Sequence, residues 1–189
     1  MKLHQTSLFA APTAALCLMA ASMPSIAGSD LFVGFSGTQQ RIESEAQPDD
    51  YHTANAEAWV HVEGYSVGIS RDDEARSVKL DDVVFTKIPG AASTGLFANA
   101  VTGTAIKEVV FESYPPGENR GPFMIVTLRD AVITSIQHSD EPSRLAGLPV
   151  ERVSVGYQSI CMKTLSEDDE GRVGQELERC YDKRSGSAY

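Results

Sequence analysis

One stretch, Val78 to Phe111, constrains the fold of this chain more than any other. It opens with Val78-Lys79-Leu80-Asp81-Asp82-Val83-Val84-Phe85-Thr86-Lys87 and is stopped by Pro89-Gly90. β-Branched and aromatic residues ending at a Pro-Gly pair predict a strand. The small-residue segment from Ala91 to Gly103 then places Leu96, Phe97, Ala100 and Val101 at helical spacing. Ser93 or Thr94 would cap that helix and Gly103 would end it. Ala105-Ile106-Lys107-Glu108-Val109-Val110-Phe111 returns to a strand pattern. One short helix is therefore held between strands. Such a helix is marginal unless its apolar face packs, so Leu96 and Phe97 are both expected against the sheet.

The flanking segments are also strand-like. Leu31, Val33 and Phe35 alternate with polar or small neighbours. Residues 36–56 are polar and predict a long exposed loop. In the run from Ala58 to Ile69, Val60 and Val62 share one parity, whereas Tyr65, Val67 and Ile69 take the other. Gly64 marks the change and predicts a bulge. Arg71 to Ala75 and Tyr114 to Gly121 read as turns. Phe123 to Ile136 reads as a long strand region interrupted at Arg129-Asp130, followed by a polar loop from His138 to Leu148. Val153, Val155, Tyr157 and Cys161 line one further strand. Ser166 to Gly174 is an acidic turn, Gln175 to Lys183 a last strand, and Ser185 to Tyr189 a frayed end. With about eight strand regions and no repeat, the expected fold is mainly β: an antiparallel barrel or sandwich of two sheets with one short helix alongside.

The first 27 residues have the pattern of an export leader. Lys2 precedes an apolar core from Leu8 to Ala21, and Ser25-Ile26-Ala27 puts small residues where a signal peptidase reads. The core is short of the roughly 20 residues that span a bilayer. Cleavage is expected after Ala27, leaving a single domain over residues 28–189 and a periplasmic or extracellular protein. A buried N-terminal helix is the plainer alternative. Lipid attachment at Cys17 is opposed by bulky Leu16 and by the apolar core running past it, and initiation at Met23 would leave no leader. An oxidising destination favours a bond between the two remaining cysteines, Cys161 and Cys180. Pairing the last two strand candidates as a hairpin sets these cysteines near one another. A net charge of −10 argues against nonspecific binding to nucleic acid or anionic lipid.

Little in the sequence suggests chemistry. Gly64-Tyr65-Ser66-Val67-Gly68 matches G-x-S-x-G, but that motif needs a strand–turn–helix elbow, and here it sits in a β-rich run. His4, His52, His61 and His138 lack metal-ligand spacing. Glu167-Asp168-Asp169-Glu170 lacks the alternation of a calcium loop and reads as a solvated turn. No catalytic, metal or cofactor-binding residue is expected.

The order of these pieces resembles the haemolysin-coregulated protein (Hcp) family, the inner-tube subunits of type VI secretion systems. Asp30-Leu31-Phe32-Val33-Gly34-Phe35 resembles its first strand and Val62-Glu63-Gly64-Tyr65-Ser66-Val67-Gly68-Ile69-Ser70 its second, with Val67 where an aromatic is usual. Asp82-Val83-Val84-Phe85-Thr86-Lys87 resembles its acid-to-Phe-Thr-Lys strand. Leu96-Phe97 and Thr102-Gly103 resemble its helix, residues 124–135 its long strand pair, and residues 149–155 the strand after it. The resemblance implies homohexameric rings stacking into a tube, with a spike protein and effectors as partners and no catalysis or membrane insertion. The leader and the Cys180-Tyr181-Asp182-Lys183 ending, where a tryptophan is usual, depart from that family. An exported binding or adhesion module that keeps the fold without the tube is the alternative.

Overall fold

The computed structural model describes residues 30–46, 54–72, 77–116, 121–139, 148–167 and 173–189. The segment expected to be a leader, the acidic cluster beyond Glu167, most of the 138–148 loop and the middle of the 36–56 loop lie outside them. The described residues form twelve strands and one helix: β1 (Asp30–Ser36), β2 (Ala58–His61), β3 (Gly64–Ser66), β4 (Ile69–Asp72), β5 (Ser77–Leu80), β6 (Val83–Lys87), α1 (Ala91–Thr102), β7 (Ile106–Tyr114), β8 (Met124–Ser139), β9 (Val150–Gly156), β10 (Ser159–Glu167), β11 (Val173–Asp182) and β12 (Ser187–Ala188). All pairings are antiparallel.

One sheet runs β12-β11-β10-β8-β7-β1-β2, and the other runs β3-β6-β9 and joins the far half of β8. β8 belongs to both. Its first half pairs with β7 and β10, and its second half pairs with β9. The expected interruption at Arg129-Asp130 is where it turns: Asp130 has φ 49°, left-handed backbone that carries a cost for a residue with a Cβ. At the other end, consecutive amides part company. Val62 N–H donates to Leu31 O at 2.9 Å and Glu63 N–H to Thr86 O at 2.8 Å, one bond into each sheet. The sheets thus face one another without a continuous ladder around them.

The core fills the space between. Val33, Phe35, Val109, Phe111, Val126 and Leu128 from the first sheet meet Val83, Phe85, Val153 and Val155 from the second, all buried. Phe85 stands between Phe35 and Phe111, with ring centroids 6.4 and 5.9 Å away, the edge-on and tilted spacings aromatic rings prefer. Gly34 is required on β1 because a Cβ there would lie 2.9 Å from the buried Trp59 ring.

The mainly β fold, the single helix and the two antiparallel sheets agree with expectation; several element assignments do not. Residues 78–87 are two strands: β5 turns back on β4, and only β6 enters the core. The phase change near Gly64 is a strand break at Val62-Glu63, because the ladder changes partner there. Residues 153–161 likewise split into β9 and β10. His138 lies in β8, opposite Glu151. The start of the 36–56 loop is packed down: Ile42 is buried, and Gln40 O accepts from Asn99 Nδ2 at 2.6 Å. Residues 185–189 are not frayed, since β12 pairs with β11 and Tyr189 exchanges both backbone hydrogen bonds with Cys180.

Candidate functional site

The β4–β5 hairpin stands apart from both sheets, each strand pairing only with the other. Its register sets Ile69 opposite Leu80 and Arg71 opposite Val78, so these four side chains share one face. Ser70, Lys79, Asp72 and Ser77 share the other. Leu80 at the base touches the core, but Ile69 is 59% and Val78 40% exposed. An isolated two-stranded hairpin is marginal in water. A hairpin with Ile69 and Val78 exposed beside Arg71 on one face therefore presents a surface suited to a partner.

The helix presents a second such surface, and here the sequence expectation fails. Ala92, Gly95, Leu96 and Asn99 face inward, so Leu96 is buried as expected, but Phe97 is 57% and Val101 68% exposed. Gly95 and Leu96 take the inward arc of the helix, and Phe97, about 200° round from Gly95, falls outside it. Gly95 sets the inward face. A Cβ there would strike the Arg41 carbonyl and lie 2.8 Å from Ile42 Cα. Gly103 ends the helix at φ 60° as expected. The N-cap is Gly90, and Ser93 acts from the N3 position, its Oγ accepting the Gly90 N–H at 3.0 Å.

At this helix start lies a buried ion cluster. Lys87 closes β6 with its side chain fully buried, and the ladder places it opposite the equally buried Glu151 of β9. Its Nζ donates to Ile88 O at 2.7 Å and to Ser93 Oγ at 3.3 Å, and lies 3.2 Å from Glu45 and 3.6 Å from Glu151. Ser93 Oγ donates to Glu151 Oε2 at 2.6 Å, and Glu45 Oε1 accepts the Ala92 N–H at 2.8 Å, at the positive end of the helix. The half-exposed His138 sits 3.5 Å from Glu151 Oε1. One ammonium thus joins helix, loop and two strands. The sequence reading missed this cluster, although its signal was present: Lys87 follows the inward parity of Val83 and Phe85, and Glu151 precedes that of Val153 and Val155. Opposite charges at core positions of two strands predict their pairing.

A third group surrounds Tyr157. Its hydroxyl donates to the Asp81 carbonyl at 3.1 Å, and Lys183 Nζ stands 3.7 Å from its ring centroid. Burial, with Asp82 and Asp81 nearby, pushes its pKa up to about 12. Burial also lowers the Lys183 ammonium below its ordinary value, against the pull of the same two aspartates.

Cys161 of β10 and Cys180 of β11 are directly opposed in the ladder and form a disulfide. Ser66 lies exposed on β3 opposite Val84, and β4 follows, so no nucleophile elbow forms there. His61 packs edge-on against Phe32. Among the described residues the sole three-member grouping with metal-ligand geometry is Cys161, Cys180 and Glu178, and its two sulfurs are already bonded to each other. No described helix is long and apolar enough to cross a membrane.

Residues 49–163 match the protein family described as "Type VI secretion system effector, Hcp". Among solved structures, one described as a type six secretion system protein superposes with a TM-score of 0.70 at 16% identity, covering 86% of this chain and 100% of that one. Hcp1 from Salmonella typhimurium gives 0.67 at 17%, covering 86% and 99%. The secreted protein Hcp3 from Pseudomonas aeruginosa gives 0.56 at 20%, covering 82% and 98%. At these identities the superpositions establish the fold. No curated protein matches the sequence.

Proposed function

Because the chain belongs to the Hcp family of type VI secretion proteins, we propose that it is a non-enzymatic subunit that associates with copies of itself into homohexameric rings. The observation that carries this reading is the β4–β5 hairpin, which has Ile69 and Val78 exposed on one face and, among the described residues, pairs with no other strand. Phe97 and Val101 on the helix add a second apolar surface. Self-association covers such surfaces at little cost, since the same patches recur on every copy.

The reading extends to export, with cleavage after Ala27 and residues 28–189 forming the mature domain. The Cys161–Cys180 bond supports an oxidising destination. Family membership supports extending the reading to stacking of rings and to contact with a spike protein or effectors.

Light scattering on protein beginning at Gly28 tests the central claim. A mass near six subunits is expected, falling when Ile69→Ser and Val78→Ser are combined, with far-ultraviolet dichroism unchanged. A monomer at every concentration overturns ring formation and favours an exported binding or adhesion module. Intact mass of the secreted protein tests export separately: a start at Gly28 supports the leader, and a start at Met1 or Met23 rejects it.

A further inference from the structure

The two sulfurs of the disulfide have unequal surroundings. Cys161 is buried on β10, a strand flanked on both sides, and the Arg129 guanidinium donates to its Sγ through Nη1 at 3.5 Å. Arg129 is held from the other side by Glu108, 3.5 Å from its Nε. Cys180 lies on β11, near the sheet's margin, and its outer neighbour is the two-residue β12. Residues 174–179 of β11 are all exposed, so little apolar burial holds that strand. Its restraints are the ladder to β10, the short ladder to β12, the Ser166–Gln175 hydrogen bonds, the Lys163–Glu176 ion pair at 2.6 Å, and the disulfide itself. Opening of a weakly held edge uncovers Cys180 before Cys161.

We propose that this disulfide is a thiol-exchange site, with Cys180 the sulfur an incoming thiol attacks and Cys161 the sulfur that leaves beside Arg129. The attacking thiolate forms a bond to Cys180 Sγ as the Cys161–Cys180 bond breaks, and its electron pair departs on Cys161, facing the guanidinium. A proton from water then neutralises the thiolate. With a dithiol, its second thiolate attacks the mixed disulfide and releases Cys180, so the dithiol is oxidised and the protein gains two thiols. The Glu178 carboxylate lies within 4.8 Å of both sulfurs. It repels anionic thiols, so the site takes uncharged or cationic ones. Exchange removes the covalent cross-link from β11 to the rest of the sheet and leaves its hydrogen bonds, the Lys163–Glu176 ion pair and the packing of Tyr181 against the core.

The test uses the oxidised full-length mature protein. Cysteamine, a cationic monothiol, is added, the reaction is acid-quenched, and the mixed disulfide is located by peptide mass. The adduct is expected on Cys180; an adduct chiefly on Cys161 overturns the proposal. Dithiothreitol reduction rates are then compared between Arg129→Lys and Arg129→Gln. A favourable charge shifts a thiol by about one pKa unit, and a Brønsted slope near one half makes the Gln variant about threefold slower. Equal or faster reduction of the Gln variant overturns the role of Arg129. Mercaptoethanesulfonate should react more slowly than cysteamine, and Glu178→Gln should narrow that gap; an unchanged gap removes Glu178 from the site.

Discussion

Replacing Lys87 with methionine keeps most of the side chain's apolar stem and removes its charge from the centre of the ion cluster. Four contacts disappear: those to Ile88 O at 2.7 Å, Ser93 Oγ at 3.3 Å, Glu45 at 3.2 Å and Glu151 at 3.6 Å. The consequences for the two carboxylates differ. Glu45 retains 18% side-chain exposure and the Ala92 N–H, so water and the helix end compensate it. Glu151 has none of that exposure and keeps only the Ser93 hydroxyl and the neighbouring His138. Removing one member of a buried pair costs about 3 to 5 kcal/mol, chiefly because the other charge is left uncompensated. With a urea slope of about 2 kcal/mol/M for a domain of this size, the unfolding midpoint should fall by about 1.5 to 2.5 M. Tryptophan fluorescence reports the transition through the buried Trp59. Adding Glu151→Leu should recover much of the loss, because the stranded charge goes with it. A midpoint shift below about 0.5 M, or strict additivity of the two substitutions, would refute the view that Lys87 compensates Glu151.

Three further outcomes are expected. Leu96→Ala should cost about 2 to 5 kcal/mol in thermal or urea unfolding, whereas Phe97→Ala should stay within about 0.5 kcal/mol in the isolated subunit; comparable losses would contradict the helix orientation. Gly95→Ala should destabilise by about 1 to 3 kcal/mol despite the better helix propensity of alanine, since the new methyl meets the Arg41 and Ile42 backbone; stabilisation would show that the loop yields. Tyr157 ionisation, isolated by difference against Tyr157→Phe in an ultraviolet titration, should centre near pH 12 rather than 10.0. The folded state holds this proton more tightly, so its contribution is complete below pH 10 and drains away between pH 10 and 12; an inflection at pH 10 would place the ring in solvent.

Strands were legible wherever local pattern and tertiary context agreed. Val33 and Phe35 alternate because one face of β1 is buried, and the Cys161–Cys180 pairing followed from the two terminal strands forming a hairpin. The misses share a cause. Residues 78–87 and 153–161 read as single strands because composition stays β-rich through each, whereas the break is dictated by which sheet each half can reach. At Tyr157 the side chain anchors the crossing by bonding to Asp81 O. Phe97 was misplaced because the helix is apolar on both sides. Its inward face is chosen by the small residues Ala92 and Gly95, which let the 36–46 segment approach, and that segment's position is invisible in a local window. The ion cluster was readable in principle, from charges standing at inward parity.

The pairing of β1 with β7 sets a clock on the birth of the molecule. Val33 is matched with Phe111, and β2, β1's other neighbour, gives that strand just four opposed residues. During synthesis at about 5 to 20 residues per second, β1 waits roughly 4 to 16 s for its main partner to be made. Afterwards it must still close a long loop, the slow step in chains dominated by distant contacts. The chain therefore spends seconds with β1 short of its main partner, and the first sheet cannot be completed before the residues of β7 exist.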